Sequence, residues 1–288
     1  MKGKATTHGA ATVVNGIACG KGAAFGVALE TTATVELTGE PGRFEVSIED
    51  EPGEETALAE HCVRLVLEKF GLAGEHGARI ATRSQIPMSR GLKSSSAAAN
   101  AIVLSAFKAL DEGINDLELI DLGIQASFLA GVTITGAFDD ACATYFGNVA
   151  VTDNIGRKLL AQYPIREDYD VVIHVPMQKI RKRDVDVSLL KSIRAPAELA
   201  VRLTMEKDFL SGMMVNGLAY SAAMGFGTKV ALKALEAGAA TAGISGTGPA
   251  TVVLARPELT EAVIAAIRDC GGTDCGIIRT RINTNKAY

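Results

Sequence analysis

Residues 87–100 read Pro87-Met88-Ser89-Arg90-Gly91-Leu92-Lys93-Ser94-Ser95-Ser96-Ala97-Ala98-Ala99-Asn100, and the rest of the chain is read outward from them. Proline and glycine build a loop, three serines open a helix and the alanines propagate it. A helix start leaves its first N–H groups without intrahelical partners and carries partial positive charge. Gly91 lets the backbone approach a ligand closely. The serine hydroxyls can donate to phosphate oxygens or reach a magnesium ion, and Lys93 adds a full charge. Together these features form a phosphate cradle. The plainer alternative is that Ser94 only caps the helix. The spacing is not that of a Walker A loop. The nearest candidate, Gly16 to Lys21, is wrongly spaced, and Gly22 stands where that motif needs Ser or Thr.

Two further segments carry chemistry. Gly243-Ile244-Ser245-Gly246-Thr247-Gly248-Pro249-Ala250 is glycine-rich, but its glycines do not follow the dinucleotide-binding spacing. It reads as a tight turn or as a wrap around phosphates or a substrate. Residues 136–147 place Asp139 and Asp140 side by side among small and apolar residues. Burying an uncompensated carboxylate is costly. One of the pair therefore meets a cation, a metal or a substrate hydroxyl. The alternative is a helix N-cap with an exposed neighbour.

Composition narrows the classes. With 288 residues, 48% hydrophobic and 22% charged, the chain can bury a real core as one large or two modest domains. Lys+Arg is 29 against Asp+Glu 33, so no broadly basic surface is expected. No tryptophan and 5% aromatic residues argue against base-stacking platforms, and no nucleic-acid partner is expected. No apolar run reaches the length of a membrane span, and the opening residues lack the apolar core of a secretory signal. Cys19, Cys62, Cys142, Cys270 and Cys275 are odd in number and show no C-x-x-C pair, which fits a reducing cytoplasm better than a disulfide framework or a zinc site. His8, His61, His76 and His174 show no metal-ligand spacing.

The pattern predicts strands at residues 12–14, 32–37, 44–48, 78–84, 149–152, 169–176, 251–255 and 275–282. It predicts helices at 56–70, 94–110, 117–130, 195–211, 212–225, 230–237 and 257–270, with a glycine-rich loop at 16–26. The polar, mixed stretch at 157–168 suggests a boundary near 160, dividing the chain into residues 1–160 and 161–288. The class is α+β.

In this order the three segments resemble the motifs of the GHMP kinase superfamily, which includes galactokinases, homoserine kinases and mevalonate kinases. Residues 87–97 resemble its P-x-x-x-G-L-x-S-S motif, residues 243–250 its third glycine-rich motif, and Asp139-Asp140-Ala141 the segment carrying its aspartate. The cradle GLKSSSAAANA and the opening GAATVVNGIACGKGAAFGVAL are most similar to the archaeal shikimate kinase group. The resemblance covers essentially the whole chain.

It implies a two-domain fold, with a ribosomal-S5-domain-2-like N-terminal domain, a ferredoxin-like C-terminal domain, and ATP and substrate in the cleft between. It implies ATP-dependent phosphorylation of shikimate to shikimate 3-phosphate with Mg2+, by a cytoplasmic monomer or homodimer, with homoserine the leading alternative acceptor. Pro87, Ser89, Arg90, Gly91, Leu92, Lys93, Ser94, Ser95, Ser96 and Ala97 would then hold the ATP phosphates, and Ser95 and Asp140 the magnesium. Asp139 would act as base and Lys93 would stabilise the transferring charge. His8, Asn15, Asp139, Gly246, Thr247 and Gly248 would meet the acceptor. Its carboxylate needs a cation, for which Lys179 and Arg183 in the run 179–183 are first candidates and Arg279 and Arg281 second. One departure stands out: where mevalonate kinase-like members carry a magnesium-binding glutamate, this chain has Phe128.

Overall fold

The computed structural model describes residues 1–178, 186–271 and 275–288. The first sheet grows from a long antiparallel pair, β1 (Lys2–Val14) and β2 (Lys21–Thr38). The far edge of β2 is shared by two partners. Thr31–Thr38 pairs with β4 (Gly77–Ser84), and Lys21–Phe25 pairs with β5 (Val149–Asp153). β3 (Phe44–Ile48) lies parallel to β4, and β6 (Lys158–Tyr163) folds back on β5. Four helices cover this sheet: α1 (Ala57–Lys69), α2 (Ser94–Leu110), α3 (Asp116–Leu129) and α4 (Phe138–Phe146). Their apolar stripes meet the alternating inward residues of β2 and β4 around Val35, Ile80, Val66, Ile102, Phe107 and Leu119.

The second sheet is antiparallel, in the order β10-β7-β9-β8. Its strands are β7 (Asp170–Pro176), β8 (Thr241–Ile244), β9 (Thr251–Ala255) and β10 (Cys275–Arg281). Helices α5 (Val187–Lys191), α6 (Arg194–Met205), α7 (Phe209–Ala223) and α8 (Lys229–Glu236) lead from β7 to β8, and α9 (Thr260–Gly271) leads from β9 to β10. This is the β-α-β-β-α-β connectivity that the term ferredoxin-like denotes. The central strands read as continuous apolar runs because both faces are covered. Val171, Ile173, Val252 and Leu254 face Phe209, Met213 and the first sheet's Val13 and Phe25. Val172 and Val253 face Val263 and Ile267 of α9.

After β10 the chain returns to the first sheet. Asn283 N–H donates to Gly26 O at 2.9 Å, and Asn148 N–H donates to Asn283 O at 2.9 Å. Thr6 and Tyr288 exchange backbone bonds of 2.7 and 3.1 Å, and Lys286 pairs with Asp116 at 2.7 Å.

Three expectations are corrected. The loop expected over residues 16–26 ends at Gly20, and residues 21–26 are strand. The polar stretch after 157 contains β6, an edge strand whose alternation is too weakly apolar to register. The helix expected over 195–211 breaks after Met205 and restarts at Phe209, where Asp208 caps it by accepting from Ser211 N–H at 3.1 Å.

Candidate active site

The start of α2 fixes the site's geometry. Lys93 occupies the N-cap position in the left-handed region, at φ 67°, and its carbonyl accepts the first helical bond from Ala97 N–H. The N–H groups of Ser94, Ser95 and Ser96 therefore stand ahead of the helical ladder. Gly91, at φ 85°, is in direct contact with the carbonyl of Ser245, where any Cβ would collide. The second glycine-rich segment thus closes on the cradle. Ser245 Oγ donates to Gly91 O at 2.7 Å and accepts from Thr12 N–H at 3.1 Å. Gly246 N–H donates to Thr12 Oγ1 at 2.7 Å, and Asn15 Nδ2 donates to Gly246 O at 2.8 Å.

The two aspartates open α4, where the helix dipole favours negative charge. Asp139 is 4% exposed and Asp140 6%. Lys93 Nζ lies 2.8 Å from Asp140 Oδ1 and donates to Thr12 Oγ1 at 2.6 Å. Asp139 receives a bond of 2.8 Å from Asn154 Nδ2. Burial holds the Asp139 carboxyl well above the ordinary carboxylate range, and the charge of Asp140 pushes it the same way. Lys93 and the Asn154 bond oppose them.

These groups line one cleft of about 440 Å3. Its polar lining includes Asn15, Lys93, Asp139, Asp140, Asn154 and Thr247. Ile48, Leu58, Ile86, Met88, Ile102 and Val132 also line it, as do Asp50, Glu51, Glu54 and Glu55.

Of the expected phosphate-binding residues, Pro87, Ser89, Gly91, Lys93, Ser94 and Ser95 line the cleft. Arg90, Leu92, Ser96 and Ala97 are buried behind it, and Arg90 donates instead to Met177 O at 2.6 Å. Of the expected acceptor residues, Asn15, Asp139, Gly246 and Thr247 line it, whereas Gly248, which closes the turn by donating to Ser245 O at 2.9 Å, does not. His8 does not reach the cleft. It is buried against Glu30, at 3.9 Å, and the ring of Tyr288. Lys179 and Arg183, with Arg181 and Lys182, lie outside the described residues. Arg279 is held by Asp170 at 2.5 Å and Glu261 at 3.0 Å and does not line the cleft, nor does Arg281, which faces outward on the same strand. Sequence reasoning missed Thr12, Ser245, Asn154 and the 130–135 stretch of the cleft lining. Thr12 and Ser245 lay inside segments already singled out, whereas nothing in the pattern marks Asn154.

Residues 57–148 match the family model described as the GHMP kinases N terminal domain, which places fold and cleft in that class of kinase. A solved structure of homoserine kinase from Cytophaga hutchinsonii superposes with a TM-score of 0.76 at 20% identity, covering 100% of this chain and 98% of the other. The shikimate kinase of Methanosarcina acetivorans is 43% identical over 100% of this chain and 96% of its own length. That of Methanosarcina mazei is 42% identical with the same coverage. The chain belongs to this shikimate kinase family.

Proposed function

We propose that the chain transfers the γ-phosphoryl group of ATP to the 3-hydroxyl of shikimate, with Asp139 taking or orienting the hydroxyl proton. One observation carries this reading. Asp139, Lys93 and an open helix start share a cleft in a chain that matches a shikimate kinase from end to end. Phosphoryl transfer needs alignment and charge neutralisation more than covalent chemistry. The N–H groups and hydroxyls of Ser94 and Ser95 bind the transferring phosphates, and Lys93 balances their charge. Apolar lining residues of the cleft take the adenine, and the acceptor sits by Asp139, Asn15 and Thr247. Asp139 suits a base because its raised proton affinity is matched to work near neutral pH.

Among the described residues no three His, Cys, Asp or Glu side chains cluster as a metal cage. That fits magnesium carried by the nucleotide, which keeps several waters and needs only one or two protein oxygens. The Ser95 hydroxyl is the protein oxygen proposed for the ion, Asp140 being engaged by Lys93 at 2.8 Å, and the ion would supply charge neutralisation on the phosphates. Lys179 and Arg183 remain the proposed partners of the acceptor carboxylate.

The proposed division into two units falls between Tyr163 and Asp170, because β6 runs past residue 160. The reading requires neither nucleic acid nor membrane, and no described helix is long and apolar enough to cross one. A cytoplasmic location and a monomeric or homodimeric state complete the proposal; the cysteines form no disulfide among the described residues.

The test is ADP release from ATP and magnesium with shikimate, homoserine and mevalonate offered in parallel. Turnover on shikimate alone is expected. Turnover on another acceptor would keep the cradle and void the acceptor assignment.

A further inference from the structure

Asn154 follows β5 by one residue and is 4% exposed. Its backbone N–H donates to Gly20 O at 2.9 Å, which ties it to the turn between β1 and β2. Its side chain meets Asp139 twice. Nδ2 donates to Asp139 Oδ1 at 2.8 Å, and Oδ1 accepts from Asp139 N–H at 3.1 Å. Oδ1 also accepts from the Thr152 hydroxyl at 2.7 Å. A backbone N–H can only donate, so the amide end facing Asp139 N–H is the carbonyl, and a flipped carboxamide would lose both bonds to Asp139 and keep only a contact to the Thr152 hydroxyl. The other carboxylate oxygen, Asp139 Oδ2, packs into the space a Cβ at position 22 would fill. Gly22 makes this placement possible.

A carboxylate on a helix has several staggered rotamers open to it. Here one oxygen is committed to an amide that itself has a fixed orientation. We propose that Asn154 is a positioning residue: it locks the rotamer of Asp139, with Oδ1 held by the amide and Oδ2 seated against Gly22, so that the carboxylate keeps one fixed orientation toward the acceptor hydroxyl. Thr152 sets the orientation of the amide. Neither residue touches the acceptor in this account. Both act through Asp139, so the inference rests on the reading of Asp139 as the base. Reacting groups misplaced by about 1 Å lose roughly 100-fold in rate, which sets the scale of the effect.

The experiment is a double-mutant cycle on the full chain, comparing Asp139→Asn, Asn154→Ala and the pair, read as single-turnover rates and as KM for ATP. Asn154→Ala alone should lower kcat by about 30- to 100-fold and move KM for ATP less than about threefold. In the Asp139→Asn background the same change should alter the rate less than about twofold, because a residue acting through Asp139 has nothing left to position. Equal losses in both backgrounds would assign Asn154 a merely structural role and overturn the inference. Thr152→Val, close to isosteric, should show the same pattern more weakly, and it carries the comparison if Asn154→Ala does not fold. A crystal structure of either variant should show the Asp139 carboxylate rotated; an unmoved carboxylate overturns the inference. If Asp139→Asn itself retains the rate within a few-fold, the base reading fails and the positioning role with it. If Asp139→Asn is inactive and the carboxylate stays put without Asn154, only the positioning role fails.

Discussion

The ammonium of Lys93 lies 2.8 Å from Asp140 Oδ1, so the cation at the head of the phosphate cradle is balanced by the neighbour of the candidate base. Both side chains are more than nine-tenths buried. A buried charge persists only with a partner, and removing one member of such a pair is strongly destabilising, by about 3–5 kcal/mol. Asp140→Ala should therefore lower the melting temperature by several degrees while leaving the magnesium concentration for half-maximal rate little changed. A large shift in that concentration with an unchanged melt would instead make Asp140 a metal ligand.

Lys93→Met should lower kcat by about 100- to 1,000-fold, the scale expected for removing one preorganised electrostatic donor. Steady-state kinetics at saturating ATP and acceptor check this. A loss confined to KM for ATP would reduce Lys93 to a binding role.

Asp139→Asn should lower kcat by about 100- to 10,000-fold. It should also stabilise the fold at alkaline pH. Burial raises the proton affinity of Asp139 in the folded state, so the folded chain holds a proton that the unfolded chain releases. Stability from this group is thus full below the ordinary carboxylate range and falls as pH rises toward neutrality. Melts of both proteins between pH 5 and pH 8 check the sign: the advantage of the variant should grow with pH.

Gly91→Ala should impair both fold and nucleotide binding. Its φ of 85° disfavours any side chain, and a Cβ would strike Ser245 O. The expected loss is about 1–3 kcal/mol in denaturant unfolding, with a raised KM for ATP.

Asn15→Ala should raise KM for the acceptor more than KM for ATP. Asn15 donates to Gly246 O at 2.8 Å and accepts from Ile17 N–H at 3.0 Å, so it shapes the cleft beside Gly246 and Thr247. Equal changes in both KM values would contradict the placement of the acceptor there.

How much of this the sequence carries depends on the range of the interactions. The helix over 94–110 is legible to the residue because loop, serine run and alanine run are all local, although the N-cap is Lys93 and not the expected Ser94. The strand over 21–26 is not, because glycine at 22 reads as a loop while serving as the space for a carboxylate more than a hundred residues away in sequence. His8 looked like an acceptor residue because it precedes the first motif closely. But the chain between His8 and Asn15 is extended, and seven residues of strand span roughly 20 Å. Asn154 carries no spacing signal: two of its three side-chain bonds go to Asp139, which only the packing of α4 beside β5 brings near, and the third goes to Thr152 two residues earlier. The surroundings of Asp139 and Asp140, alike as two adjacent letters, differ in space, with Lys93 beside Asp140 and Asn154 bonded to Asp139.

The return of the chain after β10 bears on how the molecule comes apart. Thr6 and Tyr288 are paired across nearly the whole sequence, and Asn283 is stitched to Gly26 and Asn148. Closing so long a loop is entropically expensive and comes late in folding. Once made, it ties the second sheet to β1 and β2, so neither sheet melts while the other keeps its edge. Heat should therefore undo the chain in one cooperative transition, despite its two sheets and four apolar clusters.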